Sequence, residues 1–170
     1  LELSAGDALA ITGGNGSGKS TLLKCLSGAI PLTQGSIEYR EGTDKLAEES
    51  WFRSLAIATP YLELPEEFTL SEALAFHFQF KRPLKQLSNQ EILSILGLEK
   101  HQSKSISQFS SGMKQRVKLA LAIFSEVPLL FLDEPTTNLD KQGVAWYLEL
   151  LQQYAQDRIL VICSNEPREY

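Results

Sequence analysis

The chain has 170 residues and a net charge of −5, with 43% hydrophobic and 22% charged residues. These values are typical of a globular domain with an apolar core. They argue against a dedicated nucleic-acid-binding surface, which needs clustered Lys and Arg. No apolar stretch reaches the about 20 residues of a membrane-spanning helix, since the best candidate, residues 119–132, is interrupted by Ser125, Glu126 and Pro128.

The first predicted elements surround a glycine-rich loop. Residues 8–12 form a short apolar run that predicts a buried strand, and residues 20–27 predict a helix that Gly28 ends. Between them, residues 13–20 read Gly-Gly-Asn-Gly-Ser-Gly-Lys-Ser and fit the phosphate-binding pattern G-x-x-x-x-G-K-[ST]. Strand, loop and helix in this order direct backbone amides and a helix N-terminus at one anion. This context disfavours a plain glycine-rich surface turn.

The loop therefore predicts a site for a nucleoside triphosphate. Lys19 would reach the β- and γ-phosphates, the Ser20 hydroxyl would bind Mg²⁺, and Thr21 would add a contact to the α-phosphate. The rest of the loop would supply backbone amides to the phosphates, from Gly13, Gly14, Asn15, Gly16, Ser17 and Gly18.

Two strands are predicted after the first helix. Residues 35–40 alternate like a short strand, and residues 42–49 are polar and loop-like. Residues 55–59 form an apolar strand that Pro60 stops.

A mainly helical stretch follows. Residues 69–80 predict a helix capped by Thr69 or Ser71. Ser88-Asn-Gln-Glu91 is a capping box for a second helix, which Gly97 ends. Because these helices interrupt the alternation of strands and helices, they predict a helical subdomain within the chain.

A third helix of this stretch is predicted to start at Ser110 or Ser111. Apolar residues recur on one of its faces at helical spacing, and the opposite face carries Lys114, Gln115 and Lys118. With this helix included, the predicted helical subdomain covers about residues 65–126.

The last third of the chain returns to alternating strands and helices. Residues 127–132 are a continuous apolar strand, as expected in the middle of a parallel sheet. Residues 141–154 predict a helix and residues 159–163 a final strand. The order of elements predicts an α/β fold with a mostly parallel sheet, as in P-loop nucleotide triphosphatases. Cys25 and Cys163 fall in predicted elements, as buried free thiols would.

Two carboxylates follow the apolar strand. Asp133 stands at its end, where a carboxylate can hold Mg²⁺ opposite Ser20. Glu134 follows and can orient and partly deprotonate an attacking water. The alternative, a polar strand end that begins a turn, does not explain why the chain also carries the phosphate-binding loop.

Four blocks in this order and spacing resemble the ATP-binding-cassette (ABC) ATPases over essentially the whole chain. Gly13–Thr21 is similar to their Walker A motif, and Leu129–Glu134 to Walker B with its catalytic glutamate. Phe109–Arg116 is similar to their signature motif, and Thr137–Asp140 to the D-loop. The signature block separates this family from other P-loop proteins.

The resemblance implies a head-to-tail dimer that encloses two ATP molecules, with either an identical or a different ATPase subunit. Ser110 and Gly112 of one subunit would contact the γ-phosphate held by Lys19 of the other. A serine-rich helix start also makes an anion site by itself, although it is more often a simple cap. Asp140 of the D-loop joins the candidate nucleotide-binding residues.

The resemblance further implies a transporter subunit. Ser111 and Met113 replace the first Gly and the first Gln of the usual signature, Leu-Ser-Gly-Gly-Gln-x-Gln-Arg, and the Met is shared with a variant found in the exporter branch. A separate integral membrane permease would be the partner, which places this subunit at the cytoplasmic face of the membrane. No nucleic-acid partner is expected.

Two further positions depart from the family pattern. A glutamine usually follows the strand corresponding to residues 55–59, and here Pro60 or Thr59 stands there. A histidine usually follows the last strand, and here Asn165 stands there, with Ser164 as the alternative. Asn can donate a hydrogen bond to phosphate but carries no positive charge. We therefore predict intact ATP binding and slow or partner-dependent hydrolysis.

The candidate catalytic residues are accordingly Glu134, Lys19 and Asn165, and the cofactors are ATP and Mg²⁺. The resemblance also predicts that the chain is a single ATPase domain, residues 1–170, truncated at both ends. The aromatic residue that stacks on adenine in this family would then precede Leu1.

Two other functions remain open. A soluble ABC ATPase that acts on macromolecules is one, although no sustained heptads predict the long coiled coil of the DNA-repair and chromosome members. An ATP-binding switch that hardly hydrolyses is the other. Pro60 and Asn165 favour the switch, and Glu134 opposes it.

Overall fold

The computed structural model describes all 170 residues, Leu1–Tyr170. Four strands form the central sheet: β1 (Ala8–Ile11), β4 (Leu55–Ala58), β5 (Leu129–Asp133) and β6 (Ile159–Cys163). They lie in the order β1-β6-β5-β4, and all neighbours are parallel. Helices cover the sheet, as an all-parallel sheet requires. The predicted α/β class with a P-loop core is confirmed.

The helices are α1 (Lys19–Leu26), α2 (Trp51–Ser54), α3 (Leu70–Phe80), α4 (Asn89–Leu96), α5 (Ser111–Ile123) and α6 (Lys141–Tyr154). Short 3₁₀ turns lie at Glu48–Ser50, Leu84–Gln86, Glu99–His101, Ile106–Gln108 and Pro167–Glu169. None of the helices combines the length and apolar composition that crossing a bilayer requires.

The capping signals decide where three helices begin. Thr69 and not Ser71 caps α3, since its hydroxyl accepts from the backbone N–H of Glu72. The predicted capping box at Ser88 is present at the start of α4. Ser110 and not Ser111 caps α5, with its hydroxyl 3.3 Å from the backbone nitrogen of Met113. Each cap satisfies an N–H group that the first helical turn leaves free.

The predicted strand at residues 35–40 is wrong. Only Arg40–Glu41 (β2) is a strand, and it pairs antiparallel with Asp44–Lys45 (β3) inside the predicted loop. Next to β2, only the Tyr39 carbonyl is paired, accepting from the N–H of Leu46 at 2.8 Å, so residues 35–38 have no ladder to join. Alternation alone predicts an extended conformation, whereas a strand also needs a partner.

The core lies on both faces of the sheet. The larger cluster holds 27 buried residues and joins one sheet face to α3–α6, and the smaller holds seven on the face of α1 and α2. All five residues of β5 are at most 4% exposed, which explains the uninterrupted apolar sequence of this strand. Cys163 is buried, Cys25 is half-buried, and neither forms a disulfide.

Helix α5 connects the helical stretch to the sheet. It packs against α4 on one side and against β4, β5 and α6 on the other. Gln115, which lies on the predicted polar face, is instead buried, and its side-chain nitrogen donates to the carbonyl of Pro135 at 2.8 Å. A polar residue can be buried on this face because the loop after β5 offers it an acceptor.

Candidate functional site

Three strand ends meet at one edge of the sheet. Ile11 at the end of β1 lies beside Cys163 at the end of β6, and Cys163 lies beside Asp133 at the end of β5. The glycine-rich loop, Asn165 and Glu134 follow these ends. Ligands of open α/β sheets bind at the carboxyl ends of the strands, so this edge is the candidate site.

The glycine-rich loop has a conformation that its glycines permit. Gly18 lies at φ 95° and caps α1, and Gly13 lies at φ 151°. A Cβ atom on Gly13 would lie 2.7 Å from the Ser17 hydroxyl oxygen. A side chain there would be strained at this φ and would displace the Ser17 side chain. The first N–H groups of α1 have no acceptor within the helix and face an incoming anion.

Lys19 folds back over this loop. Its ammonium donates to the carbonyl of Gly13 at 2.6 Å and lies 3.4 Å from that of Gly14. The residue is only 8% exposed. The ammonium also forms a long ion pair with the Glu134 carboxylate, at 3.8 Å.

Asp133 fits a magnesium ligand. The residue is 1% exposed, and its Oδ1 atom is buried with no hydrogen-bond partner in the chain. A buried carboxylate oxygen without a partner is costly, and a bound cation or water would remove that cost. No cluster of three or more His, Cys, Asp or Glu residues forms a metal-binding group. Mg²⁺ in nucleotide sites takes one or two protein oxygens, with phosphates and water supplying the rest, and Asp133 with Ser20 would be the candidate ligands.

Glu134 has an unusual backbone and a perturbed carboxyl. Its φ is 46°, and its backbone N–H donates to the carbonyl of Cys163 at 2.9 Å. Burial raises the pKa of the Glu134 carboxyl above its ordinary value, and the Glu169 carboxylate raises it further, whereas Lys19 lowers it. A raised pKa makes this carboxylate a better proton acceptor. Its side chain remains 30% exposed and so can reach solvent.

Asn165 reaches the glycine-rich loop. Its side-chain nitrogen donates to the side-chain oxygen of Asn15 at 3.3 Å. Ser164 is fully buried, and its hydroxyl accepts from the backbone N–H of Glu166 at 2.8 Å. Of the two residues considered for this position, Asn165 is the one whose side chain lies at the candidate site.

The signature and D-loop residues do not join this cluster. The Ser110 hydroxyl caps α5, and Asp140 caps α6 by accepting from the backbone N–H of Gly143 at 2.7 Å. A Cβ atom on Gly112 would lie 2.9 Å from the Asn138 carbonyl oxygen. No hydrogen bond or ion pair joins these residues to the glycine-rich loop. Their predicted contact with a nucleotide across a dimer stays a prediction.

Pro60 and the two histidines of the chain have partners away from the glycine-rich loop. The carbonyl of Pro60 accepts from the Lys118 ammonium of α5 at 3.0 Å. His77 lies 2.9 Å from the Ser125 hydroxyl, and His101 packs beside Phe109. Neither histidine contacts the loop, so no imidazole takes the place of Asn165.

Glu169 was not predicted as a site residue. It is 1% exposed, and its Oε1 atom accepts from both the backbone N–H and the hydroxyl of Thr136. It stands in a charged stretch near the end of the chain, where the pattern is typical of a solvated loop. Composition and periodicity do not distinguish it from its exposed neighbour Glu166, although the family pattern aligns on Glu169.

Two clefts of about 370 and 380 Å³ lie at the opposite edge of the sheet, where Arg158 precedes β6 and lines both. They are separate from the glycine-rich loop. The candidate site is instead open to solvent, because most of residues 13–18 are exposed.

Similarity to known proteins indicates the same family that the motifs resemble. Residues 1–137 match the family described as "ABC transporter". An uncharacterized ABC transporter ATP-binding protein of Bacillus subtilis (strain 168), YybJ, is 33% identical over 164 residues, which cover 96% of this chain and 75% of that protein. The cytochrome c biogenesis ATP-binding export protein CcmA of Colwellia psychrerythraea is 35% identical over 168 residues, covering 97% of this chain and 75% of that protein.

A solved structure described as the ATP-binding subunit of an ABC transporter has the same fold. It is 32% identical, with a TM-score of 0.77 over 94% of this chain and 69% of that chain.

Proposed function

This chain belongs to the ABC transporter family, and we propose that it is the ATP-hydrolysing subunit of a membrane transporter that exports its substrate. The observation that carries the proposal is the meeting of Lys19, Asp133 and Glu134 at one edge of the sheet. Together they provide a cation for phosphate, a buried carboxylate for Mg²⁺ and a base for water.

ATP would bind with its phosphates on the glycine-rich loop. Backbone amides and the N-terminus of α1 would hold the phosphate oxygens, and Lys19 would turn from the Gly13 carbonyl to the β- and γ-phosphates. Asp133 and Ser20 would hold Mg²⁺. When bound, Mg²⁺ supplies positive charge that neutralises the phosphate oxygens during transfer.

Glu134 would act as the base in hydrolysis. It would accept a proton from a water that attacks the γ-phosphorus, while the bond from this phosphorus to the β–γ bridging oxygen breaks and leaves ADP and phosphate. Asn165 would donate a hydrogen bond to the γ-phosphate without adding charge. We expect turnover to be slow in the isolated subunit, since this position lacks a cation.

A second ABC ATPase subunit would complete the site. Ser110 and Gly112 at the start of α5 would face the γ-phosphate held by Lys19 of the opposite subunit, and Asp140 would lie nearby. The openness of the loop and the free N–H groups at the α5 start support this arrangement. The same interface can form between identical or different subunits.

Dimer formation tests this part of the proposal. Glu134→Gln with ATP should dimerise in size-exclusion chromatography with light scattering, and Glu134→Gln combined with Ser110→Arg should stay monomeric. Glu134→Gln combined with Ser88→Arg is the matched control, because it removes an N-cap of the same kind from α4. Monomers in all three proteins, despite ATP binding, would overturn the proposed sandwich.

A permease at the cytoplasmic face of the membrane is the proposed partner. Phe52, Phe76 and Phe80 are 60%, 46% and 73% exposed. The Phe76 and Phe80 rings lie 5.2 Å apart, and Lys81, next to Phe80, donates to the carbonyl of Phe52. Such an exposed aromatic surface at the junction of α2 and α3 suits an apolar protein partner. The signature variant and the similarity to CcmA, an export protein by name, support export as the direction of transport.

Recovery with the membrane fraction tests the partner. In native cells, Phe80→Ser should reduce membrane recovery of the full-length protein, and Leu148→Ser, an exposed apolar residue on α6, should not. Equal recovery of both variants would reject this surface. Recovery of the wild-type protein only in the soluble fraction would favour the alternative of a soluble ABC ATPase.

A non-hydrolysing ATP switch is the second candidate function. Asn165 favours it, because its contact with Asn15 brings an uncharged amide to the loop. Tight ATP binding without turnover, in the presence of the membrane fraction, would support the switch.

A further inference from the structure

Glu169 forms a buried connection between two loops of the candidate site. Its Oε1 atom accepts from the backbone N–H of Thr136 at 2.9 Å and from the hydroxyl of the same residue. Its own carbonyl accepts from the Tyr147 hydroxyl of α6 at 3.0 Å. Glu169, Thr136 and Tyr147 are 1%, 6% and 0% exposed. The contact is thus shielded from water on all sides.

The two ends of this connection carry the candidate chemistry. Thr136 is two residues after Glu134, and the backbone N–H of Thr137 donates to the Glu134 carbonyl at 3.1 Å. Asn165 is four residues before Glu169 and contacts Asn15 of the glycine-rich loop. The backbone of Ser164 is tied to Ile11 of β1 at 3.1 Å. The Glu169 carboxylate therefore links the loop that carries Glu134, the proposed base, to the segment that carries Asn165, the proposed hydrogen-bond donor to phosphate.

We propose that Glu169 is a positioning residue, which holds the segment of Asn165 against the loop of Glu134 so that both side chains face the γ-phosphate together. This inference rests on the proposed ATPase function. Glu169 itself touches neither the glycine-rich loop nor a reacting atom, so it acts through Thr136. Its hydrogen bonds are charge-assisted, and such bonds are short and strong in a buried setting.

The second carboxylate oxygen gives the proposal a sharp test. The Oε2 atom is buried and has no hydrogen-bond partner in the chain. In Glu169→Gln, the amide oxygen can keep both bonds from Thr136 while the amide nitrogen takes the place of Oε2. The geometry should persist although the charge is lost. Glu169→Ala loses both bonds and leaves the N–H of Thr136 buried without an acceptor.

We expect three effects in the full-length protein. Glu169→Ala should lower kcat by about tenfold or more, because small misplacements of catalytic groups are costly. Its KM for Mg·ATP should change by less than about threefold, since loop residues 13–21 keep their contacts. Glu169→Gln should recover a clear part of the kcat, because it keeps the geometry but loses the charge that raises the pKa of Glu134. The control Glu166→Ala, an exposed residue of the same segment, should behave as wild type.

Hydrogen exchange supplies a measurement that does not depend on turnover. The Thr136 amide should exchange at least about tenfold faster in Glu169→Ala than in wild type, and stay protected in Glu169→Gln. Thr136→Val removes only the hydroxyl and should give an intermediate loss of kcat. It also provides a milder variant if Glu169→Ala does not fold.

Two results would overturn the inference. One is a Glu169→Ala protein with wild-type kcat, and the other is a loss of kcat in Glu169→Gln as large as in Glu169→Ala. Failure of the ATPase function looks different, because the wild-type protein itself would then show no turnover. In that case faster exchange at Thr136 would still support the structural connection, and unchanged exchange would reject it.

Discussion

Gly112 lies at a position where an added methyl group has two opposing effects on the stability of the protein. It is the second residue of α5, and a Cβ atom there would lie 2.9 Å from the carbonyl oxygen of Asn138. Asn138 has φ 65°, and the loop around it is fixed by the bond from Gln115 to the Pro135 carbonyl. The carbonyl can therefore retreat only if this loop shifts.

Two opposing contributions set the magnitude for Gly112→Ala. Ala is more favourable than Gly in a helix by up to about 1 kcal/mol. Overpacking against a fixed neighbour costs about 1–3 kcal/mol. We therefore expect Gly112→Ala to lower the free energy of unfolding by about 1 kcal/mol, the difference of the two. For a chain of this size that corresponds to a fall in Tm of about 2–4 °C.

Urea and thermal unfolding of the full-length protein measure this effect. Ser111→Ala, the exposed neighbour in the same helical turn, is the control and should stay within about 0.5 kcal/mol of wild type. A Gly112→Ala protein that is more stable by about 1 kcal/mol would refute the reasoning. That result would mean that helix propensity acts alone and that the close approach to Asn138 is absent.

Three further predictions concern other contacts. Burial lowers the pKa of His77 below its ordinary value of 6.5, so the folded protein loses stability as the pH falls through 6.5 towards the folded-state pKa. His77→Gln, which keeps a donor to Ser125, should lose less stability over this pH range in urea unfolding. Equal losses in the two proteins would contradict this prediction. Lys118→Met should cost about 1 kcal/mol by removing the bond to the Pro60 carbonyl, and unchanged stability with unchanged amide exchange around residue 60 would reject the contact as stabilising. Asn165→His should raise ATP turnover by adding a donor that can carry charge, whereas a lower rate would argue that the amide is specifically required.

The local features of the site were predictable because contiguous residues encode them. The glycine-rich loop, the apolar strand before Asp133 and the helix caps at Thr69, Ser88 and Ser110 each depend on residues close in the sequence. Backbone geometry and capping chemistry act over these short distances. The mostly parallel sheet follows from alternating strands and helices, whereas the order of its strands was not predicted.

The contacts that the sequence did not reveal join distant residues. Glu169 and Thr136 are 33 positions apart, Gln115 and Pro135 are 20 apart, and Lys118 and Pro60 are 58 apart. No periodicity marks such pairs, because each depends on how whole elements pack. A polar side chain looks like a surface residue until its buried partner is known.

The same limit explains the wrong strand at residues 35–40. The alternating side chains of residues 35–40 are compatible with a strand, but no strand of this chain lies beside residues 35–38 to pair with them. Backbone pairing therefore begins only at Tyr39, whose carbonyl accepts from the N–H of Leu46, and at Arg40, where the turn at Gly42 brings β3 alongside.

Steady-state hydrolysis of Mg·ATP by the full-length protein, beside its Glu134→Gln variant, tests the central claim most directly. We predict that both proteins bind ATP, that the wild type alone turns over below about 1 s⁻¹, and that its membrane partner increases the rate. Glu134→Gln should lower the rate by at least about 100-fold. Equal rates in the two proteins would contradict the role of Glu134 as the base. A wild-type protein that binds ATP but never hydrolyses it, with or without the membrane fraction, would contradict the ATPase function itself.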